Sequence, residues 1–359
     1  MRDATVRIGL AGLGAIGRVH ADNLRGRVPG ARLARVVDAV EGALAVAAGV
    51  PASTAYADLL SDPRVDAVLI ATPPSTHAEM VRQAAAAGKH VFCEKPLALD
   101  IGDAEAALAA VERAGVLLQL GFHRRFDRDF TDAKARIARG ELGEIRTFFG
   151  SMRDMHPPPV EALRSREQTL LHDTACHDFD AARWLIGEID EVTTRGAALV
   201  SPEVAAAGEV DHALTLLRFA GGALGIVENS LASGYGFDCR CEVAGSEATL
   251  RVDRPYRSSV ETLDAGGSRF SRTATFLERF EDAYRHELEG FSAAVRGERR
   301  VEVDGEDGVA AVVIATAAEL SLRRGMPVRI RRVTRDGAPR HELDLRSGPE
   351  GATPDPPVG

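Results

Sequence analysis

Short apolar runs alternate with helix-like stretches over the first third of the chain. The most regular run, at 67–71, is hydrophobic throughout, which is typical of a parallel strand covered on both faces. The strands predicted in this way span 6–11, 32–37, 67–71, 90–93 and 116–120. Helices are predicted after the first strand and at 55–61, 78–87 and 103–114. The pattern therefore predicts an α/β domain built on a parallel sheet.

After residue 122 the pattern changes to longer strands in which apolar and polar residues alternate. These predicted strands span 145–152, 192–198, 213–219, 224–230, 239–244 and 249–252. Turn pairs such as Gly221-Gly222 separate neighbours, which indicates an antiparallel meander. Amphipathic helices follow at about 275–295 and 306–324. We predict a domain at 1–122, an α+β domain with a large, mainly antiparallel sheet at 123–333, and a disordered, Pro-, Gly- and charge-rich tail at 334–359.

A glycine-rich turn links the first strand to its helix. Gly12-Leu13-Gly14-Ala15-Ile16-Gly17 is a G-x-G-x-x-G sequence, whose glycines allow a tight turn, close approach of a pyrophosphate, and packing of helix on strand. Asp38 ends the second strand, 21 residues after Gly17, where a carboxylate accepts hydrogen bonds from an adenosine ribose. Because Ala39 and Val40 follow instead of Arg or Lys, we predict a Rossmann domain that binds NAD in preference to NADP.

Ligands of an open parallel sheet bind beyond the carboxyl ends of its strands. Lys95 stands at such an end, and Pro96 favours an extended geometry that points the lysine into the crevice. A solvated lysine before a turn is the alternative. The residues expected to contact the cofactor share positions at these strand ends: Gly12, Gly14, Ala15, Ile16, Gly17, Asp38, Thr72, Pro73, His77, Glu94 and Lys95.

Asp173 and His177 lie four residues apart in a predicted helix and therefore share a face. A histidine near a carboxylate suits a general base for an alcohol proton, and we expect Asp173 to raise the pKa of His177. Asp173 as a helix N-cap and His177 as a structural histidine are the alternatives. A metal site of His172, Asp173, Cys176 and His177 is disfavoured, since the spacing matches no standard motif, and no metal is predicted.

Composition narrows the class of protein. The 359 residues predict two domains, and a net charge of −9 argues against a nucleic-acid partner. No apolar run reaches 18 residues, and the N-terminus leads into a strand without a signal-peptide core, so no membrane association is expected. Four scattered cysteines indicate a reduced, cytoplasmic protein.

These segments resemble the Gfo/Idh/MocA oxidoreductase family. The sequence Glu94-Lys95-Pro96-Leu97 is similar to the family's signature after the fifth strand, and Asp173-x-x-x-His177 is similar to its catalytic pair. The resemblance implies that Lys95, Asp173 and His177 form the catalytic set. His177 would be the base, Asp173 would orient it, and Lys95 would hold the reacting oxygen.

Within the family, the segments 121–127, 153–159, 235–238 and 276–288 look like those of inositol dehydrogenases. The resemblance implies substrate contacts from Lys95, Arg125, Asp154, Asp173, His177 and Tyr235. It also implies NAD-dependent oxidation of a ring secondary alcohol to a ketone, with myo-inositol to scyllo-inosose as the leading reaction, in a homotetramer built through the second sheet. Another inositol isomer or a sugar, a non-catalytic NAD-binding regulator, and a glycosidase that holds NAD tightly are the alternatives.

The chain departs from the family pattern at three places. His123 replaces a methionine, Gln168-Thr169 replaces a glycine pair before the catalytic Asp, and Leu231-Ala232 replaces two basic residues. We expect Gln168-Thr169 to reshape the polyol pocket, so the substrate isomer stays open.

Overall fold

The computed structural model describes residues 5–47, 49–253, 256–335 and 338–345. The first part of the chain forms a six-stranded parallel sheet in the order β3-β2-β1-β4-β5-β6. The strands are β1 Val6–Ala11, β2 Ala31–Val37, β3 Ala52–Ser53, β4 Ala67–Ile70, β5 His90–Cys93 and β6 Leu118–Leu120. Chain order reverses between β1 and β4, and the carboxyl ends of these strands therefore open a crevice.

Helices cover both faces of this sheet, and β4 is buried at every residue. The helices are α1 Ala15–Leu24, α2 Tyr56–Leu60, α3 His77–Ala86 and α4 Ile101–Ala114. The Rossmann fold predicted from the apolar runs is confirmed, with element ends that differ by one or two residues. The two-residue strand β3 escaped prediction because so short a segment carries no periodicity.

The second sheet has eight strands in the order β12-β11-β7-β10-β9-β8-β15-β16. They are β7 Ile145–Arg153, β8 Ile189–Ala197, β9 His212–Phe219, β10 Leu224–Ser230, β11 Asp238–Gly245, β12 Thr249–Asp253, β15 Val328–Arg335 and β16 Ala338–Leu345. Neighbours are antiparallel except β7 and β10, which pair in parallel because the chain leaves β7 through a helical crossover. The mainly antiparallel sheet is confirmed, although a simple meander is not found.

One face of the second sheet packs against helices. The helices of this part are α5 Arg128–Ala138, α6 Val160–Arg164, α7 Ala175–Ile186, α8 Pro202–Ala206, α9 Phe276–Arg279, α10 Glu281–Val295 and α11 Gly305–Arg324. Helices α7 and α11 contact the sheet, and Ala213, Thr215 and Leu217 of β9 face them as buried residues. None of the helices in the described ranges is long and apolar enough to cross a membrane.

One prediction about an irregular segment was wrong, and one hairpin was missed. Within the predicted disordered tail, Ala338–Leu345 forms β16 and pairs along its length with β15. Its charged residues suit an edge strand, and they made the segment look like a solvated tail. Residues 346–359 of that tail lie outside the described residues. A hairpin of β13 Tyr256–Asp264 and β14 Gly267–Arg272 was not predicted at all.

Buried ion pairs hold the segment that connects the two sheets. A 3₁₀ turn, His123–Phe126, follows β6 and carries two fully buried arginines. The guanidinium of Arg124 donates to Asp178 at 2.5 Å, and Asn229 donates to the same carboxylate at 2.7 Å. Arg125 donates to both oxygens of Asp180, at 2.6 and 3.0 Å. Both acids are on α7, so the turn fixes that helix against the first domain.

Removal of one partner of a buried pair leaves the other charge uncompensated in a dry environment. We therefore expect Asp178→Ala to lower the free energy of unfolding by about 3–5 kcal/mol. The exposed Arg136–Asp132 pair on α5 supplies the control, because Asp132→Ala should cost less than about 1 kcal/mol. Urea denaturation followed by circular dichroism measures both changes. Equal losses in the two variants would contradict a special role for the buried pair.

Candidate active site

The glycine-rich turn between β1 and α1 is shaped by close contacts. Gly12 has a φ of +93°, and a Cβ there would lie 2.4 Å from the carbonyl oxygen of Ala71. A Cβ on Gly17 would lie 2.0 Å from the carbonyl oxygen of Gly12. Gly14 differs, since a Cβ there would meet nothing within 4 Å. Two glycines are thus required by the turn itself, and Gly14 leaves its outer side open to a pyrophosphate near the amino end of α1.

Asp38 follows β2 and lies against this turn. Its carboxylate accepts the backbone N–H of Leu13 at 2.7 Å and that of Val40 at 2.8 Å. The acid is therefore fixed beside the glycines, as a ribose-binding carboxylate must be. The turn and this acid fit NAD, with Ala15 and Ile16 opening α1 as predicted.

The loop after β4 contains Thr72, Pro73 and His77. The imidazole of His77 is buried, 2.7 Å from the carbonyl oxygen of Pro96 and 2.9 Å from that of Thr72. A neutral ring donates to only one of these carbonyls, and burial lowers the pKa of His77. Its side chain thus ties the loop after β4 to the loop after β5. The predicted contact between this side chain and the cofactor does not follow from its position.

Lys95 reaches across from the end of β5 to the second domain. Its Nζ donates to the carbonyl oxygen of Asp173 at 3.0 Å and pairs with the Asp173 carboxylate. Burial alone would lower the pKa of Lys95, but the charge and hydrogen bond of Asp173, together with Cys176 and Glu94, outweigh it, and the net pKa is raised. A charged ammonium therefore stands at the mouth of the crevice.

The predicted pairing of Asp173 with His177 is not the arrangement found. Helix α7 begins at Ala175, and Asp173 lies in the preceding π-helical turn, Leu170–Thr174. The wider turn rotates Asp173 away from the helix face that carries His177, and its carboxylate pairs with Lys95 instead. The Nδ1 of His177 is buried and has no hydrogen-bond partner within the described part of the chain.

His177 packs among rings and near cations. Its ring centroid lies 5.8 Å from that of Phe122 and 4.9 Å from that of His123. Burial lowers the pKa of His177 well below its usual value, and Lys95, His123 and Arg124 lower it further. The expected rise through Asp173 was wrong, because that carboxylate is neutralised by Lys95. A neutral imidazole is the form that accepts a proton.

A cavity of about 390 Å³ adjoins the Lys95–Asp173 pair. Its polar wall contains Asp154, Gln168, Asp173 and Thr174, and its apolar wall includes Leu231 and Phe276. The Thr174 hydroxyl donates to Asp154 at 3.0 Å. Burial raises the pKa of Asp154 to about 6 against this hydrogen bond, and the charge of Asp173 contributes to the rise. The cavity has the size and mixed polarity of a small-molecule site.

Two predicted substrate contacts lie elsewhere. Arg125 is held by Asp180 and by Asp307 of α11, with 4% of its surface exposed. The Tyr235 hydroxyl donates to Asp238 at 2.8 Å and accepts from Arg153 at 2.7 Å. Arg125 and Tyr235 are thus engaged by these partners, and neither side chain lines the cavity.

Other predicted or alternative residues also have structural partners. His172 lies 3.0 Å from Glu319 of α11, so the alternative metal set is not assembled. Residues 274–276 also line the cavity, but they were not predicted as site residues because no chemical motif marks them. The only sequence signal near them is the family resemblance that begins at Phe276.

Comparison with known proteins adds independent information. A family model described as an oxidoreductase with an NAD-binding Rossmann fold matches residues 6–122, and the model of the oxidoreductase C-terminal alpha/beta domain matches residues 134–330. A myo-inositol 2-dehydrogenase of Thermotoga maritima is 40% identical over 334 residues, covering 91% of this chain and 99% of that protein.

Two further proteins are similar over most of their length. A scyllo-inositol 2-dehydrogenase (NAD(+)) of Bacillus subtilis is 39% identical, covering 90% of this chain and 96% of its own. The crystal structure of scyllo-inositol dehydrogenase from Lactobacillus casei with bound NAD(H) and scyllo-inositol has a TM-score of 0.84 at 28% identity. That match covers 90% of this chain and 99% of the other.

The position of Asp38 predicts the choice of cofactor. Its carboxylate would repel the 2′-phosphate of NADP, so kcat/KM should be at least about tenfold higher with NAD, a difference of roughly 1.4 kcal/mol. Asp38→Ala combined with Ala39→Arg should reduce that ratio. The control is Asp22→Ala, since Asp22 is an exposed acid of α1 paired with Arg25. Equal kcat/KM values for the two cofactors in the wild type would refute the assignment.

The raised pKa of Asp154 predicts a pH dependence of substrate capture. As an anion Asp154 accepts hydroxyl hydrogen bonds, so kcat/KM should fall as pH drops through about 6 and the acid takes a proton. Asp154→Asn should lower the plateau by roughly tenfold, the scale of a charged hydrogen bond. In this variant the decrease of kcat/KM with falling pH should begin at a lower pH, where His177 becomes protonated. If kcat/KM of Asp154→Asn instead began to decrease above pH ~6.5, the ordinary pKa of a histidine, the lowered pKa of His177 would be contradicted.

Proposed function

The chain belongs to the Gfo/Idh/MocA oxidoreductase family, and we propose that it oxidises a ring hydroxyl of an inositol to the ketone with NAD as acceptor. The observation that carries the proposal is the Lys95–Asp173 pair, which places a cation between the glycine-rich turn and a polar cavity. The similar proteins named above support the substrate class.

Each side chain of the site has a separate role in the proposed oxidation. Bound NAD supplies the hydride acceptor. Lys95 donates a hydrogen bond to the reacting hydroxyl oxygen and stabilises the negative charge that grows there. His177, neutral because its pKa is depressed, takes the hydroxyl proton as the carbon–hydrogen bond breaks and the carbonyl forms. Asp173 holds Lys95 in place, and Asp154 accepts hydrogen bonds from hydroxyls that do not react.

The cavity suits a compact polyol. Asp154 and Asp173 accept hydrogen bonds, and the Gln168 amide both donates and accepts them. We take myo-inositol as the leading substrate, with scyllo-inosose as its product. The scyllo isomer is the second candidate, since similar proteins are named for each isomer. Two wall residues, Gln168 and Leu231, depart from the family pattern, and Gln168, as the polar one of the two, is the side chain expected to separate the isomers.

We further propose a homotetramer assembled through the open face of the second sheet. On that face Leu214, Leu216 and Leu224 are 42%, 55% and 59% exposed, and Phe149 is also exposed. A contiguous apolar surface of this kind marks an association site. Light scattering should give the mass of four chains for the wild type and a smaller mass for Leu216→Arg. An unchanged mass in the variant would contradict this interface.

Two finer assignments accompany the proposal. We place the boundary between a cofactor domain and a substrate domain after residue 122, where β6 ends and the 3₁₀ turn begins. A reducing cytoplasmic setting is supported by Cys93, Cys176, Cys239 and Cys241, which are buried free thiols. Activity that is unchanged by thiol reductants would agree with that setting, and reductant-dependent loss of structure would oppose it.

An activity panel tests the reaction. NADH formation by the purified protein with inositol isomers and aldoses should be fastest with an inositol. Lys95→Ala should lower kcat at least about a hundredfold while NADH affinity stays close to the wild-type value. Lys134→Ala is the matched control, because Lys134 donates to the Trp184 carbonyl away from the crevice. Fastest turnover of an aldose, or normal turnover by Lys95→Ala, would overturn the proposal.

A further inference from the structure

Three ionisable side chains are buried together behind Lys95. His20 of α1 and Glu287 of α10 have no exposed surface, and Glu94 at the end of β5 is 8% exposed. One nitrogen or oxygen atom from each of the three lies within 4.8 Å of the others. The Nε2 of His20 lies 2.7 Å from Oε1 of Glu94. The His20 Nδ1 and both carboxyl oxygens of Glu287 have no hydrogen-bond partner among the described residues.

Unpartnered polar atoms at full burial are costly and need an explanation. Burial raises the pKa of Glu287 well above its usual value, and the charge of Glu94 raises it further, which favours the protonated, uncharged carboxyl. When His20 donates from Nε2 to Glu94, its Nδ1 becomes an acceptor. The protonated carboxyl of Glu287 can then donate towards Nδ1 through one bridging water, since no direct hydrogen bond joins the two side chains. One proton arrangement thereby satisfies both unpartnered groups.

The cluster acts on the segment that carries Lys95. The second oxygen of Glu94 accepts the backbone N–H of Lys95 at 3.3 Å. A Cβ on Gly121 would lie 2.7 Å from that same oxygen, so the carboxylate occupies a slot that only glycine leaves open. Glu94 is therefore fixed from two sides. Its position sets the strand end from which Lys95 reaches Asp173.

Helix α10 also contacts the other side of the active site. Tyr284, one turn before Glu287, stacks on His123 with ring centroids 4.7 Å apart. His123 in turn lies 4.9 Å from His177. Helices α1 and α10 thus meet at the cluster, one beginning at the glycine-rich turn and the other touching the rings around His177.

We propose that Glu287 is a positioning residue, which as a neutral acid is linked to His20 through a buried water, fixes Glu94 and thereby holds Lys95 in its reactive place. This inference rests on the proposed function, because it assigns Lys95 to the oxidation. One histidine and two glutamates could also hold a cation, but the aromatic rings of Phe92 and Tyr284 pack edge-on against His20. The test therefore includes a measurement of bound metal ions.

The test compares two replacements of similar size. Glu287→Gln keeps a donor, and we expect it to retain kcat within about threefold. Glu287→Met removes the donor and should lower kcat at least about tenfold, with the polyol KM and the NADH affinity within about threefold of wild type. His20→Leu, which removes both ring nitrogens, should behave like Glu287→Met. Ser292→Ala is the control, because it removes another buried, unpartnered group from a different face of α10.

A second readout needs no substrate. The protein has three lysines, Lys89, Lys95 and Lys134, so reductive methylation followed by mass spectrometry reports each separately. Lys95 should react at least about fivefold faster in Glu287→Met than in the wild type or Glu287→Gln, while Lys89 and Lys134 act as internal standards. This arm holds even if the substrate proves not to be an inositol. Thermal melting identifies a misfolded variant, and His20→Leu then replaces Glu287→Met in the comparison.

Several outcomes would overturn the proposal. One is wild-type kcat and methylation in Glu287→Met. Another is equal damage in Glu287→Gln and Glu287→Met, which would mean that an ionised carboxylate is needed. A third is one equivalent of zinc or manganese in the purified wild type that is lost in Glu287→Gln, which would assign the cluster to a cation. Failure of the proposed function looks different, because wild-type protein would then leave inositols unoxidised.

Discussion

The ion pair between Lys95 and Asp173 is the interaction on which the site depends. One partner comes from the end of a parallel strand in the first domain and the other from a π-helical turn in the second. Both side chains are largely shielded, so separating them would leave a poorly solvated charge on each side of the cleft. The cleft therefore assembles around a cation whose position is set from both domains.

This pair also gives three neighbouring groups different electrostatic surroundings. The charge of Asp173 is compensated by Lys95, whereas Asp154, in the same cavity, accepts a side-chain hydrogen bond only from the Thr174 hydroxyl among the described residues and has a pKa raised to about 6. Lys95 then lowers the pKa of the buried His177. Two carboxylates and an imidazole within one site thereby acquire distinct roles through environment alone.

Local patterns predicted the first domain well because its sheet is buried on both faces and two glycines of its first turn, Gly12 and Gly17, are required by steric contacts. The same patterns could not place Asp173, since a helical spacing does not reveal a π-helical turn. They also could not assign Arg125, whose partner Asp180 lies 55 residues away in sequence. β16 was missed because a charged edge strand and a disordered tail share a composition. In each case the deciding contact is tertiary.

Two adjacent histidines raise the question of which one serves as the base. Burial and nearby cations lower the pKa of both His123 and His177, so both rings are neutral near neutral pH. His123, however, is stacked on Tyr284 and packed edge-on against Phe280, and its Nε2 is fully buried. Lys95 lowers the pKa of both rings, but among the nearby cations it has the largest effect on His177, whereas Arg124 has the largest effect on His123. The proposed base must lie close to the group that would hold the reacting oxygen, and this difference favours His177 for that role, with His123 as the ring against which His177 packs.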